Sequence, residues 1–158
     1  GFLGGAQIDM FGNLNSTVIG DHSNPKVRLP GSGGANDVGS SCWRTIIIMQ
    51  HDKRRFIPKI DFVTTPGYLS GASAREDAGL PPNTGPYRVV TSLCTLGFDQ
   101  ETKWMKLLAL NPGVTVDDVI ENTGFELIIP DHIGHNPEPS EEELDILRHD
   151  VDKDRYYI

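Results

Sequence analysis

The sequence predicts an α/β fold, in which short, β-branched apolar runs alternate with short segments that carry helix caps. Three observations lead there. Thr45-Ile46-Ile47-Ile48-Met49 is a compact apolar run of the kind that forms a fully buried strand. Val116–Asn122 follows Thr115, a good N-cap, and places Asp117 and Asp118 in the first turn, where acidic side chains suit a helix. Two glycine-rich segments, Gly4–Ser16 and Gly31–Asp37, precede the Thr45 strand. Loops of that kind feeding a buried strand are how an α/β protein builds a site for an anionic ligand.

The remaining elements follow in order. Gly1-Phe2-Leu3-Gly4-Gly5 reads as the inside of a buried β-segment, without the polar turn that usually precedes a strand. The expectation is therefore a fragment, the C-terminal part of a larger polypeptide. His51–Phe56 is a charged connection or short helix, and Ile60–Thr65 reads as a strand stopped by Pro66-Gly67. Residues 70–86 are rich in Gly, Pro, Ser and Asn and suit a long surface loop. Tyr87–Ser92, Cys94–Asp99 and Trp104–Leu110 read as three β segments, with the turn before the third at Asp99–Thr102. Gly124 can end the helix that Thr115 begins, and Phe125–Ile129 reads as a short strand. Ser140 and Glu143 form a capping box that opens a helix running to about Arg148.

At 158 residues the chain fits one domain, over residues 1–158, with room for a core. A net charge of −8 argues against nucleic-acid binding, which needs a basic field. No apolar run approaches the roughly 18 residues of a membrane span, and no signal peptide is evident. Two cysteines, Cys42 and Cys94, without CxxC spacing read as reduced thiols and place the chain in the cytoplasm.

Gly31-Ser32-Gly33-Gly34-Ala35-Asn36-Asp37 carries the chemistry. Glycines let backbone N–H groups approach an anion with no Cβ in the way. The stretch is not a dinucleotide fingerprint, because the third glycine would fall on Asn36, and no Gly-Lys-Ser/Thr follows to make it a P-loop. A tight turn that needs positive φ would use the same residues, and spacing does not separate the two readings.

Gly4–Ser16, Gly31–Asp37, Met49–Phe56, Lys59–Gly67 and Val116–Phe125, taken together and in this order, resemble the family I coenzyme A transferases, specifically the B (beta) subunits of the glutaconate type. The resemblance covers nearly the whole chain. It implies an open, mostly parallel sheet flanked by helices, of CoA-transferase type, lacking its N-terminal portion. It also implies the reaction. In that family a glutamate attacks an acyl-CoA thioester, giving an anhydride and then a glutamyl-CoA thioester, and the coenzyme A passes to a second carboxylic acid. Each step goes through an oxyanion that needs preorganised N–H donors.

Carried onto this sequence, the resemblance makes the Gly34 backbone amide the oxyanion donor. Gly31, Gly33, Ala35 and Asn36 line the same pocket, and Gln7 stands at its edge as ligand contact or as a satisfied buried amide. No cofactor is held permanently, since the coenzyme A thioester is the substrate. The nucleophilic glutamate of the family lies before the Gly4–Asp9 block and so is not in this chain, and Glu76, Glu101, Glu121 and Glu126 do not sit in a matching context. The implied partners are an A (alpha) subunit and the missing N-terminal part of the B (beta) subunit, and the chain alone should not catalyse transfer. An acyl-CoA hydrolase or decarboxylase of the same superfamily, or a non-catalytic acyl-CoA-binding fragment, stay open beside it.

Other candidates read as structural. Asn13 and Asn15 shape a turn, Asn36 and Asp37 suit a cap, and Lys53-Arg54-Arg55 is a solvated charged connection. Lys26 and Arg28, just before the loop, have a better position for a phosphate. His51 ends an apolar strand as a satisfied structural histidine, and His132 with His135 lack a third metal ligand nearby.

Overall fold

The computed structural model describes residues 1–156. Ten short strands and four helices follow one another along them. Strands β1 (Phe2–Leu3), β2 (Gln7–Ile8), β3 (Leu14–Asn15), β4 (Val18–Gly20) and β5 (Pro25–Arg28) come before helix α1 (Ala35–Ser41). Strand β6 (Thr45–Met49), helix α2 (Ala74–Asp77) and strands β7 (Pro86–Thr91), β8 (Cys94–Phe98) and β9 (Met105–Leu110) form the middle. Helix α3 (Val116–Glu121), strand β10 (Gly134–His135) and helix α4 (Glu141–Ile146), which runs on as a π-turn over Leu147–Val151, complete the chain.

The central sheet has the order β1-β6-β7-β8-β9-β10. β1, β6 and β7 run parallel, β8 and β9 follow as antiparallel hairpin strands, and β10 returns parallel to β9. The expected α/β fold with an open, mostly parallel sheet is therefore present. Two antiparallel pairs, β2–β3 and β4–β5, sit in the connection from β1 to β6. Ile47, Val89, Leu96 and Leu107 project from the sheet into a core closed by Ile8, Leu14, Phe56 and Val119 of α3. No helix among the described residues is long and apolar enough to cross a membrane.

Local chemistry explains the elements that form as expected. The Thr115 hydroxyl accepts the Asp118 N–H while the Asp118 carboxylate accepts the Thr115 N–H, and Ser140 with Glu143 repeats that box at α4. Asp99 Oδ1 accepts the Glu101 and Thr102 N–H groups to turn β8 into β9. Thr91 Oγ1 likewise accepts from the Leu93 and Cys94 amides at the tight β7–β8 turn.

Two expected strands are absent. Over residues 60–65 only Thr65 bridges, to Leu14, and the segment is tied instead by side chains: the Asp61 N–H donates to Gln7 Oε1, and Thr64 Oγ1 accepts the Ser16 N–H. Over residues 125–129 only Ile128 pairs, with Lys106, before Pro130 ends any ladder. Both runs are β-branched and apolar, but β-propensity makes a strand only beside a partner edge. The long loop of residues 70–86 holds one helical turn, α2. The strand expected to be fully buried, β6, buries Thr45, Ile47 and Met49 but leaves Ile48 exposed.

Candidate active site

The glycine loop joins β5 to α1. Because α1 leads back to the start of β6, its own start lies toward the carboxyl ends of β1 and β6, where open α/β sheets bind ligands. Ser16 clamps the loop's entry: its carbonyl accepts the Gly31 N–H at 2.9 Å, and its hydroxyl donates to the Gly31 carbonyl at 2.9 Å. The Ala35 N–H then donates back to the Ser32 carbonyl, closing the turn, and the Gly34 carbonyl accepts the Val38 N–H as the first bond of α1.

Gly31 and Gly33 have φ of +93° and +48°, so the backbone there demands glycine. Gly34 does not. Its φ is −90°, and a Cβ built on it would meet nothing within 4 Å. Neither the Gly33 nor the Gly34 N–H has an acceptor among the described residues. The loop thus presents donors toward open space, and the glycine at 34 answers neither to conformation nor to packing within this chain.

The surroundings form a buried polar lattice. Gln7 accepts the Asn15 Nδ2 donor at 2.6 Å and the Asp61 N–H at 3.0 Å on Oε1, and it donates to Asp61 Oδ2 at 2.8 Å. Asn15 Oδ1 accepts the Thr17 and Val18 N–H groups. Thr64 completes the set, with its carbonyl accepting from Asn36 Nδ2 at 3.0 Å. The candidate residues Gln7, Gly31 and Asn36 are therefore linked through Asn15, Ser16 and Thr64, although 29 positions separate the first from the last. Asn13 does shape a turn, but a long-range one: its Oδ1 accepts the Gly67 and Leu69 N–H groups while Asp9 holds its Nδ2. Burial raises the Asp9 pKa, against the opposing pull of the Asn13 and Phe11 bonds.

A residue with no sequence signal holds α1 in place. Arg75, buried on α2, donates to the Gly39 and Ser40 carbonyls of α1, to the Pro66 and Gly67 carbonyls, and to Thr84 Oγ1. Burial pushes its pKa below the usual guanidinium value, and the carbonyls compensate the buried charge. Nothing local distinguishes it, since an arginine in a Gly/Pro-rich loop reads as solvated. Arg75→Ala is expected to lower stability by about 3 kcal/mol, because it strands several acceptors at once. Urea unfolding checks this, and a loss under about 1 kcal/mol would remove the clamp.

The other titratable candidates fall outside the loop. His51 is sandwiched between Thr91 Oγ1 at 3.1 Å from Nδ1 and Thr123 Oγ1 at 3.0 Å from Nε2, and it stacks on Phe56 at 4.0 Å. Burial lowers its pKa to about 4. Cys94 Sγ lies 3.6 Å from His51 Nδ1, but burial pushes the thiol up to about 11, so this pair is no activated nucleophile. Lys53–Arg55 form a turn in which the Asp52 carboxylate binds the Arg55 Nε at 2.9 Å. A cavity of about 450 Å³ lies by Trp43, Arg44 and Tyr87, and another of about 340 Å³ adjoins Gln7 beside Arg54 and Arg55. No group of three or more His, Cys, Asp or Glu able to hold a metal occurs among the described residues, and His132 and His135 are both exposed.

Comparison with known proteins places the fold in a family. Residues 1–122 match the family model described as "Coenzyme A transferase". The B subunit of glutaconate CoA-transferase from Acidaminococcus fermentans is 47% identical over 158 residues, which is 99% of this chain and 58% of that protein. The crystal structure of that transferase superposes with a TM-score of 0.94 over 99% of this chain and 60% of the solved one. The B subunit of 3-oxoadipate CoA-transferase from Pseudomonas knackmussii is 42% identical, over 94% of this chain and 56% of the relative. The IpdAB structure from Rhodococcus jostii is more distant, with a TM-score of 0.80 and 28% identity over 99% of this chain and 64% of that one. The chain thus spans somewhat over half the length of the relatives it matches. With the family model covering most of its residues and the fold reproduced along its length, the chain belongs to the coenzyme A transferase family.

Proposed function

We propose that this chain is a single B-type domain region, residues 1–158, of a heteromeric CoA-transferase of the glutaconate type. It moves coenzyme A between an acyl-CoA and a (di)carboxylic acid. The observation that carries the reading is Gly34: a free N–H, an ordinary φ and open space where a side chain would stand. Those properties are what a carbonyl approaching to become an oxyanion needs from a donor.

In this reading the Gly34 N–H donates to the thioester oxygen as it becomes an oxyanion. Gly31, Gly33, Ala35 and Asn36 line the approach, while Gln7 anchors the loop's floor and faces the ligand's edge. A glutamate from the amino-terminal part of the B (beta) subunit attacks the thioester carbon, and the thiolate of coenzyme A departs, leaving a mixed anhydride. That thiolate attacks the glutamyl carbonyl, releases the first carboxylate and forms the glutamyl-CoA thioester. The acceptor acid reverses the two steps. This chain supplies the glycine loop and no nucleophile, so it is inactive alone; its partners are the A (alpha) subunit and the amino-terminal part of the B (beta) subunit. Coenzyme A enters as substrate, with no permanent cofactor. Two free thiols, Cys42 and Cys94, suit a reducing cytoplasm.

Identities of 47% and 42% to two transferase subunits, against 31% to the IpdB hydrolase chain of Rhodococcus jostii, favour transfer over hydrolysis. The test is to assemble the chain with an A-type subunit and a glutamate-bearing amino-terminal part, then supply glutaryl-CoA with labelled acetate. Labelled acetyl-CoA is the expected product. Free coenzyme A without acetyl-CoA would give the site to hydrolysis, and no turnover of either kind would remove the catalytic reading.

A further inference from the structure

The turn over Asp52–Phe56 has the composition of a solvated connection, but its place in the fold gives it a use. β1 leads into Ala6 and Gln7, and β6 leads into this turn. Both therefore stand at the carboxyl ends of parallel strands, the end at which open α/β sheets bind ligands. The turn is firmly tied. The Asp52 carbonyl accepts the Arg55 and Phe56 N–H groups at 3.0 Å, and Asp52 Oδ1 accepts the Arg54 N–H. The Arg55 carbonyl accepts the Ile8 N–H at 2.8 Å, which fixes the turn to β2 beside Gln7.

The cations of this turn line a cavity of about 340 Å³, together with Ala6, Gln7, Ile19 and Asp52. Asp52 Oδ2 holds Arg55 Nε at 2.9 Å, and neither Nη of Arg55 has an acceptor among the described residues. A guanidinium pinned through Nε presents its Nη groups as a fork for two oxygens of one anion. Arg54 is freer, with its Nε 3.6 Å from Asp52 Oδ1 and its side chain 93% exposed. Residues 52–55 carry three cations and one carboxylate, a local positive excess in a chain of net charge −8. Lys26 and Arg28, the better placed by sequence, lie on the mostly exposed β5, and Arg28 turns back to the His22 carbonyl of its own hairpin.

Distance selects the anion. Phe56, Ile8, Leu14 and Thr65 lie side by side across β2 and β3. Three interstrand spacings separate Phe56 from Thr65 by about 14 Å. Only beyond them does the Thr64 carbonyl hold Asn36 of the glycine loop. An acid's own distal carboxylate, a few bonds from the thioester, falls short of that span. The phosphates of coenzyme A, at the far end of the pantetheine arm, do not. We infer that Arg55, assisted by Arg54, binds a phosphate of the acyl-CoA substrate, with the pantetheine arm passing Gln7 and the apolar side chains of Ala6 and Ile19. The inference rests on the transfer reaction proposed above.

The test uses the enzyme assembled from this chain, an A-type subunit and a glutamate-bearing amino-terminal part. Calorimetry measures binding of free coenzyme A, and steady-state kinetics measure transfer from glutaryl-CoA to acetate. Arg55→Gln is expected to weaken coenzyme A binding and raise the KM for glutaryl-CoA by about tenfold or more, since it removes a charge-assisted pair of hydrogen bonds. The kcat and the KM for acetate should stay within about twofold, because the contact is made equally in ground and transition states. Arg55→Lys should recover part of the loss, restoring the charge without the fork. Arg54→Gln, which leaves the Asp52–Arg55 bond in place, should give a smaller loss of the same kind. An arginine that merely held the structure would lower kcat or move both KM values together, and that result would overturn the inference. Acetyl-CoA should suffer as much as glutaryl-CoA; a loss confined to glutaryl-CoA would give the contact to the acid's distal carboxylate and overturn the phosphate assignment. Weakened coenzyme A binding in an assembly that transfers nothing keeps the phosphate contact and removes the transfer reading. Transfer with coenzyme A binding and acyl-CoA KM indifferent to Arg55→Gln does the reverse.

Discussion

Gly34→Val is expected to lower acyl exchange by the assembled enzyme by roughly 10²–10³-fold, the range for loss of one oxyanion donor, because its side chain holds the thioester oxygen away from the retained N–H, while leaving the yield of complex unchanged. The separation of activity from folding follows from the geometry. The Gly34 backbone, at φ −90° and ψ 2°, does not require glycine, and a Cβ there meets no atom of the described residues within 4 Å. What the added carbon obstructs is therefore a ligand approaching the loop from outside. Gly34→Ala is the graded control: both variants keep the amide, but alanine adds a single methyl group, so its loss should be smaller than that of valine. Gly31 and Gly33 cannot replace Gly34 in this experiment, because their positive φ would strain any other residue and confuse folding with catalysis. Turnover unaltered by valine would end the oxyanion assignment. Loss of complex together with turnover would return the loop to a structural role.

The second large effect is on stability. His51 stays neutral in the folded chain down to about pH 4, because burial opposes its charge, whereas an unfolded histidine gains a proton near pH 6.5. Its folded pKa is depressed, so its contribution is fully present above pH 6.5 and is lost as pH falls toward 4. The full loss is about 3 kcal/mol, from a difference of about 2.5 pH units between the two states. The window from pH 6.5 to about 4.5 is suited to this measurement. Asp21, Asp52, Asp99, Asp118 and Glu143 are all held below their usual range, and their loss of stability begins only as pH falls below it. Asp9 works in the opposite sense, since burial raises its pKa and the folded state takes up its proton first. A His51→Gln variant keeps Asp9 and removes the imidazole, so the difference between the two proteins isolates His51. Urea unfolding at pH 7 and pH 4.5 is expected to show the wild type losing about 2–3 kcal/mol more than the variant. Equal losses would mean that His51 is protonated in the folded state.

These two sites differ in how much of them the sequence discloses. The glycine loop is readable because its function needs the absence of side chains, and three glycines in four residues stand out in any window. Its neighbours are harder. Gln7, Asn15, Thr64 and Asn36 reach one lattice through contacts that span up to 54 positions, and no local pattern marks them as partners. Arg75 reads as part of a solvated loop because an arginine is ordinarily exposed. Only the convergence of four carbonyls from two distant segments makes it a buried clamp.

What the sequence determined alone is what short-range interactions decide. The caps at Thr115 and Ser140, the turns at Thr91 and Asp99, the strands at Thr45–Met49, Pro86–Thr91, Cys94–Phe98 and Met105–Leu110 and the glycine loop all depend on residues within a few positions of one another. Tertiary structure decided the rest. Ile60–Thr65 and Phe125–Ile129 have strand composition but meet a partner at one residue each, Thr65 at Leu14 and Ile128 at Lys106, and a ladder needs a partner along its length. Ile48 has the hydrophobicity of a buried residue, yet it stands more than half exposed on one face of the sheet. Burial and hydrogen-bond partnership belong to pairs of segments, and a single stretch of sequence specifies only its own half of each pair.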